Sequence, residues 1–175
     1  MKVIKDKISK GEFRDKGSKF FSFLEPINNR SDYKSKLSLY KKNFPDACHV
    51  CSAYRLYLDE RIDEFFSDDG EPRGSSGAPI LNILKKFDLI NSSIYVVRIF
   101  GGTKLGIPGL INAYSSAASG SVVNSRLIDW EPTSVVKLEY NYDLSSLIDR
   151  LVSKYKGKIN NEFGEIINAK LEIKK

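Results

Sequence analysis

Histidine, cysteine, tryptophan and methionine are nearly missing from this chain: one His, two Cys, one Trp and one Met among 175 residues. With His49 as the sole histidine, any Ser-His-Asp or Cys-His mechanism has one candidate base. Its neighbours on the same strand face, Cys51, Ala53, Arg55 and Tyr57, carry no mark of activation, so packing is the better reading. Cys48 and Cys51 cannot build a disulfide framework, which points to a reducing compartment. Nor can they supply the four ligands of structural zinc, and strand alternation turns them to opposite faces. No apolar run is long enough for a membrane helix, and residues 1–10 hold no signal-peptide stretch. The expectation is a cytoplasmic protein with no membrane partner.

Apolar residues at 41% suffice for a packed core, and charged residues at 29% exclude wholesale disorder. The formal charge of +6 suits a nucleic-acid partner without establishing one. Strands are expected at 19–27, 49–58, 62–67 and 93–100, the last the most apolar and central. Tyr33, Leu37, Tyr40 and Phe44 recur at helical spacing after a cap among Asn28, Asn29 and Ser31. A second helix opens at Pro79 with Ile80, Ile83, Leu84 and Phe87 on one face, and a third runs from Leu110. After Trp130 the pattern restarts. A strand at 134–142 leads to a helix at 143–156, with Leu144, Leu147, Ile148, Leu151 and Tyr155 inward, and strands follow at 158–163 and 165–173. Two domains are expected, 1–131 and 132–175. The first should be a two-layer α/β domain with helices on one face of a mixed sheet.

Chemistry concentrates in two loops. Asp68, Asp69 and Glu71, with Gly70 between them, place three carboxylates in four residues, the oxygen-rich set that magnesium favours. The alternating ligands and terminal Glu of an EF-hand are absent, and acidic turns usually bind only water. Gly74-Ser75-Ser76-Gly77 and Gly101-Gly102-Thr103-Lys104 each precede a helix. Amides freed there can cradle a phosphate or carboxylate; the alternative reading is that the glycines serve tight turns alone. Neither has Walker or dinucleotide spacing. Parallel strands would bring both loops to one sheet edge. Arg73, Arg98, Lys104 or a cation should then offset the mutual repulsion of the carboxylates.

The run Phe66-Ser67-Asp68-Asp69-Gly70-Glu71-Pro72-Arg73-Gly74-Ser75-Ser76-Gly77-Ala78-Pro79 resembles the acidic-glycine signature of the IMPACT/YigZ family. So does Val97-Arg98-Ile99-Phe100-Gly101-Gly102-Thr103-Lys104-Leu105-Gly106, followed by Gly109-Leu110 and Ala113-Tyr114. Ser18-Lys19-Phe20 and Ala47–Arg55 add to it, and the matches run in order over the first two-thirds of the chain. The resemblance implies an α+β protein: a ribosomal protein S5 domain 2-like domain followed by a shortened ferredoxin-like domain. The family pattern has glycine at Pro108 and commonly arginine at Asn112, so this chain carries one donor and one charge fewer in the second loop. Eukaryotic members resemble translational regulators that work through an added N-terminal domain, which this sequence does not show.

Two functional readings follow. One is a non-enzymatic binding or regulatory protein acting on RNA, the ribosome or translation, or on a protein partner. Lys16, Lys19, Arg73 and Lys104 are its phosphate contacts. The other is a metal-dependent phosphate binder or enzyme, with magnesium the suitable ion. Its ligand site comprises Asp68, Asp69, Gly70, Glu71, Arg73, Gly74, Arg98, Gly101, Gly102, Lys104 and Gly106. No sequence constellation marks a catalytic residue.

Overall fold

Alternation builds the main sheet. In the computed structural model, which describes residues 1–174, the Phe-rich segment forms β3 (Ser18–Pro26). Phe20 and Leu24 point to one core and Phe23 to another. Before it come β1 (Lys2–Ile4) and β2 (Ser9–Asp15); after it come α1 (Arg30–Asn43), β4 (His49–Leu58) and β5 (Arg61–Ser67). Then follow α2 (Gly77–Lys86), β6 (Ser92–Ile99), α3 (Gly106–Val123) and β7 (Leu127–Asp129). The five-stranded sheet has the order β2-β3-β6-β4-β5, and each adjacent pair is antiparallel. β6 is central, as its composition predicts. β1 and β7 pair separately.

Two expectations are corrected here. The sheet is antiparallel throughout, where a mixed sheet was expected. Helices cover both faces, so the two-layer arrangement does not hold. α2 and α3 pack through Ile80, Leu84, Leu110, Ala113 and Ala117 onto Phe20, Leu24, Cys51, Ala53, Ile94 and Val96. α1 packs through Tyr33 and Tyr40 onto Phe23, Val50, Tyr54, Tyr95 and Val97 on the opposite face. The physical cause lies in β4 and β6. Both faces of these strands are apolar, and such strands need cover on each side. Asn29 caps α1, its side chain accepting from the Asp32 amide at 2.8 Å.

Met1–Asp129 form one compact unit, and a second begins at Trp130. The second unit holds β8 (Thr133–Tyr140), a 3₁₀ turn (Tyr142–Leu144), α4 (Ser145–Lys154), β9 (Lys158–Phe163) and β10 (Ile167–Lys174). Its sheet order is β8-β10-β9, antiparallel. The strand-helix-strand-strand order is the one read from the sequence, but of the expected inward face of the helix only Ile148 holds. Leu144, Leu147, Leu151 and Tyr155 are exposed, while Ile148 and Val152 are the side chains that face inward. A three-stranded sheet whose buried core is Tyr140, Ile167 and Ala169 covers only a narrow line of the helix.

Candidate functional site

β5 and β6 run in the same direction because each is antiparallel to β4 between them. Their C-terminal loops, 68–76 and 100–105, therefore leave the same end of the sheet. The expected juxtaposition occurs, and for the expected reason that the two strands point the same way, although β4 lies between them. The β2–β3 turn at Lys16 and Gly17 reaches the same end, where the Gly101 amide donates to Ser18 Oγ at 3.1 Å.

The three carboxylates do not converge. Asp68 turns back on its own loop: Oδ2 accepts from the Gly74 amide at 2.8 Å, and Oδ1 accepts from the Ser76 amide at 3.1 Å, Ser76 Oγ at 2.8 Å and the Gly77 amide at 2.8 Å. The amide cradle expected at 74–77 is thus filled by the protein's own carboxylate, at the positive end of α2. Partial burial alone would raise the Asp68 pKa, but these donors outweigh it and hold the group below the ordinary carboxylate range. Asp69 pairs with Lys41, and its other oxygen accepts from the Val50 amide at 2.7 Å. The repulsion anticipated among the acids is removed one group at a time, and Lys41 of α1 supplies one of the counter-charges. Among the described residues no group of three or more His, Cys, Asp or Glu is arranged to hold a metal.

Glu71 takes a third direction, into the domain. Its Oε1 accepts from Arg98 Nη1 at 2.6 Å and from Tyr114 Oη at 2.8 Å. The pair is buried, with side-chain exposures of 7% for Arg98 and 4% for Glu71. The Arg98 guanidinium carbon lies 5.5 Å from the Phe20 ring centre and 5.4 Å from that of Phe100. Its Nε has no hydrogen-bond acceptor among the described residues. Tyr114 has its phenol pKa raised, first by burial and then by Cys51 and Glu71. Tyr114 belongs to the helical apolar stripe and reads as core from sequence. Only its hydroxyl, which the spacing pattern cannot locate, ties it to the loops.

Between the loops and the start of α3 lies a cavity of about 520 Å³. Phe100, Leu105, Ile107 and Leu110 give it apolar walls, Lys104 stands on its lining, and Arg98 and Glu71 reach it from the buried side. His49 also lines it; its Nδ1 lies 2.7 Å from the Asp69 carbonyl, so that nitrogen carries the proton. Among the described residues no side chain caps the N-terminus of α3, and its first turn contains no acid. Pro108 falls within this first turn, where its missing N–H would have had no helical partner anyway. Of the expected site residues, Glu71, Arg98, Lys104 and Gly106 meet at this cavity. Asp68 and Gly74 meet instead in the α2 cap, while Lys16, Arg73, Gly70, Gly101 and Gly102 are exposed on the surrounding loops and Lys19 is exposed at the start of β3.

Comparison with known proteins finds relatives along most of the chain. A model of the Impact N-terminal domain matches residues 16–122. The chain is 31% identical over 148 residues to the IMPACT family member YvyE of Bacillus subtilis, which covers 85% of this chain and 63% of that protein. It is 32% identical over 148 residues to an IMPACT family member of Haemophilus influenzae, covering 82% of this chain and 70% of that one. The chain thus spans less than two thirds of the Bacillus relative's length. A solved structure described as a hypothetical protein is similar with a TM-score of 0.73 at 25% identity, covering 98% of this chain and 84% of that one.

Proposed function

The chain belongs to the IMPACT family, and from the charge arrangement at its loop end we propose that it is a non-enzymatic binding protein acting on RNA of the translation machinery. One observation carries this reading. Lys16, Arg73 and Lys104 on the loops of one sheet end, and Lys19 at the start of β3 beside them, are all exposed, while Asp68, Asp69 and Glu71 of the same end are each held by internal partners. The outward charge of this end is therefore positive, although the sequence of its longest loop is acidic. Four exposed cations at one sheet end suit the phosphates of a structured RNA, which needs no base-specific groove. With this reading goes the finer description of the fold, an S5 domain 2-like first unit and a ferredoxin-like second unit.

The proposal makes binding electrostatic and independent of sequence. Labelled ribosomal RNA fragments should bind saturably at low salt, with log affinity falling against log salt with a slope of about −3. The variant K16E/K19E/R73E/K104E should lose that binding, and each single change to Ala should reduce the slope by about one. Anisotropy measured with and without magnesium decides, because the acidic turn is where this sequence best suits that ion. Absence of saturable binding under both conditions, or unchanged binding by the fourfold variant, overturns the proposal.

A further inference from the structure

The two helix starts at the loop end differ in one respect. The amides at the start of α2 are occupied by Asp68, whereas no side chain among the described residues caps α3, an 18-residue helix. The positive end of α3, with the Gly106 and Ile107 amides, lies at the cavity beside exposed Lys104. A second observation points to the same place. Arg98, which lines the cavity, is 93% buried by side-chain area yet leaves Nε without an acceptor. A buried charged donor without a partner is costly, and native structures rarely keep one without a reason. Of the two rings flanking this guanidinium, Phe20 is fully buried and Phe100 is 47% exposed, so Phe100 is the cover that can move.

We propose that this cavity binds a nucleoside monophosphate, with the phosphate at the first turn of α3 beside Lys104 and the base against Phe100. The lining selects for both halves. A bare phosphate leaves Phe100, Leu105, Ile107 and Leu110 facing water, and an acyl chain leaves Lys104 and the helix end without an anion. A nucleotide offers a flat ring to the aromatic wall and a dianion to the amides. Glu71, the carboxylate on the lining, is matched by Arg98 and does not oppose the phosphate. The inference stands without RNA binding by Lys16, Lys19 and Arg73, because one nucleotide fills the site. The ligand's source is either the free nucleotide pool or the 5′-phosphorylated end of an RNA.

Titration of the full ¹⁵N-labelled chain with AMP tests this. Saturable shifts are expected at the Phe100, Leu105, Gly106 and Ile107 amides. Adenosine and inorganic phosphate should each bind about tenfold more weakly or less, the scale of one lost charge-assisted contact. The exposed-site variants K104A and F100A should each weaken AMP about tenfold. K19A/R73A should weaken AMP far less than K104A does, which separates this site from the RNA-binding surface. A 5′-phosphorylated hexaadenylate that outbinds its 5′-hydroxyl form assigns the site to RNA ends. AMP outbinding both assigns it to free nucleotide. Equal binding of adenosine, phosphate and AMP, shifts confined to other regions, or wild-type affinity in both K104A and F100A overturns the proposal.

Discussion

Gly101 rests directly on Gly17: a Cβ added at Gly101 would overlap the Gly17 carbonyl and the Ser18 amide nitrogen. This contact joins the β2–β3 turn to the loop after β6, and so brings Lys16 beside the 101–105 segment. Replacing Gly101 with Ala should cost about 1–3 kcal/mol through overpacking against backbone. Gly102 is the control. Its φ is +89° but a Cβ there meets nothing within 4 Å, so Gly102→Ala should cost about 1 kcal/mol from backbone strain alone. Urea unfolding of the two variants measures the difference. Equal losses would show that the Gly17 contact can yield.

Asp68 should make the fold acid-sensitive. Its folded pKa lies below the ordinary value, so its contribution is present above an unfolded pKa of about 3.9 and is lost as pH falls through the folded value. Asp68→Asn keeps an acceptor but no charge, and should destabilise by about 1–3 kcal/mol near neutrality. The gap between wild type and the variant should close below about pH 4. Melting temperatures across that range check the sign; a constant gap means that the charge is immaterial.

The Arg98–Glu71 pair should show strong coupling. Removing either partner strands a buried charge, so Arg98→Met or Glu71→Leu alone should cost about 3–5 kcal/mol. The double variant should cost clearly less than the sum of the two, because no charge is left behind. A denaturant double-mutant cycle reads the difference, and additive losses would mean that the two side chains act independently.

Thiol reactivity should be low and unequal. Cys51 is buried, its pKa pushed up to about 12, chiefly by burial. Cys48 is exposed, with its pKa also raised, by partial desolvation first. Iodoacetamide near neutral pH should therefore label Cys48 slowly and Cys51 only on unfolding. Peptide mass spectrometry of native and unfolded protein distinguishes the two sites. Fast native labelling at Cys51 would contradict its burial.

Sequence alone locates the strong elements. β4 begins and ends at the expected residues, and β6 is central because Ile94, Tyr95, Val96 and Val97 leave neither face polar. β2 escapes a sequence reading because its apolar signal is weak. Gly11 occupies a position where a Cβ would collide with the Ser121 amide nitrogen, so α3 approaches the backbone and no hydrophobic residue marks the spot. The start of α3 is hidden likewise, since Gly106, Pro108 and Gly109 read as loop although a first turn tolerates them. At the site, residue types point to the two loops. The destinations of Asp68, Asp69 and Glu71 depend on partners up to 43 residues away, beyond any local pattern.

The place of β6 also governs how the sheet can come into being. The pairs β2–β3 and β4–β5 are joined by short connections and can close locally. In the sheet neither pairs with the other except through β6, which sits between β3 and β4 and is made last of the five. As the chain leaves the ribosome the two hairpins therefore keep open edges until residue 99 is available; the core under α1 can close then, whereas the core on the opposite face must wait for α3. During that interval the apolar edges of β3 and β4 are the segments most exposed to mispairing.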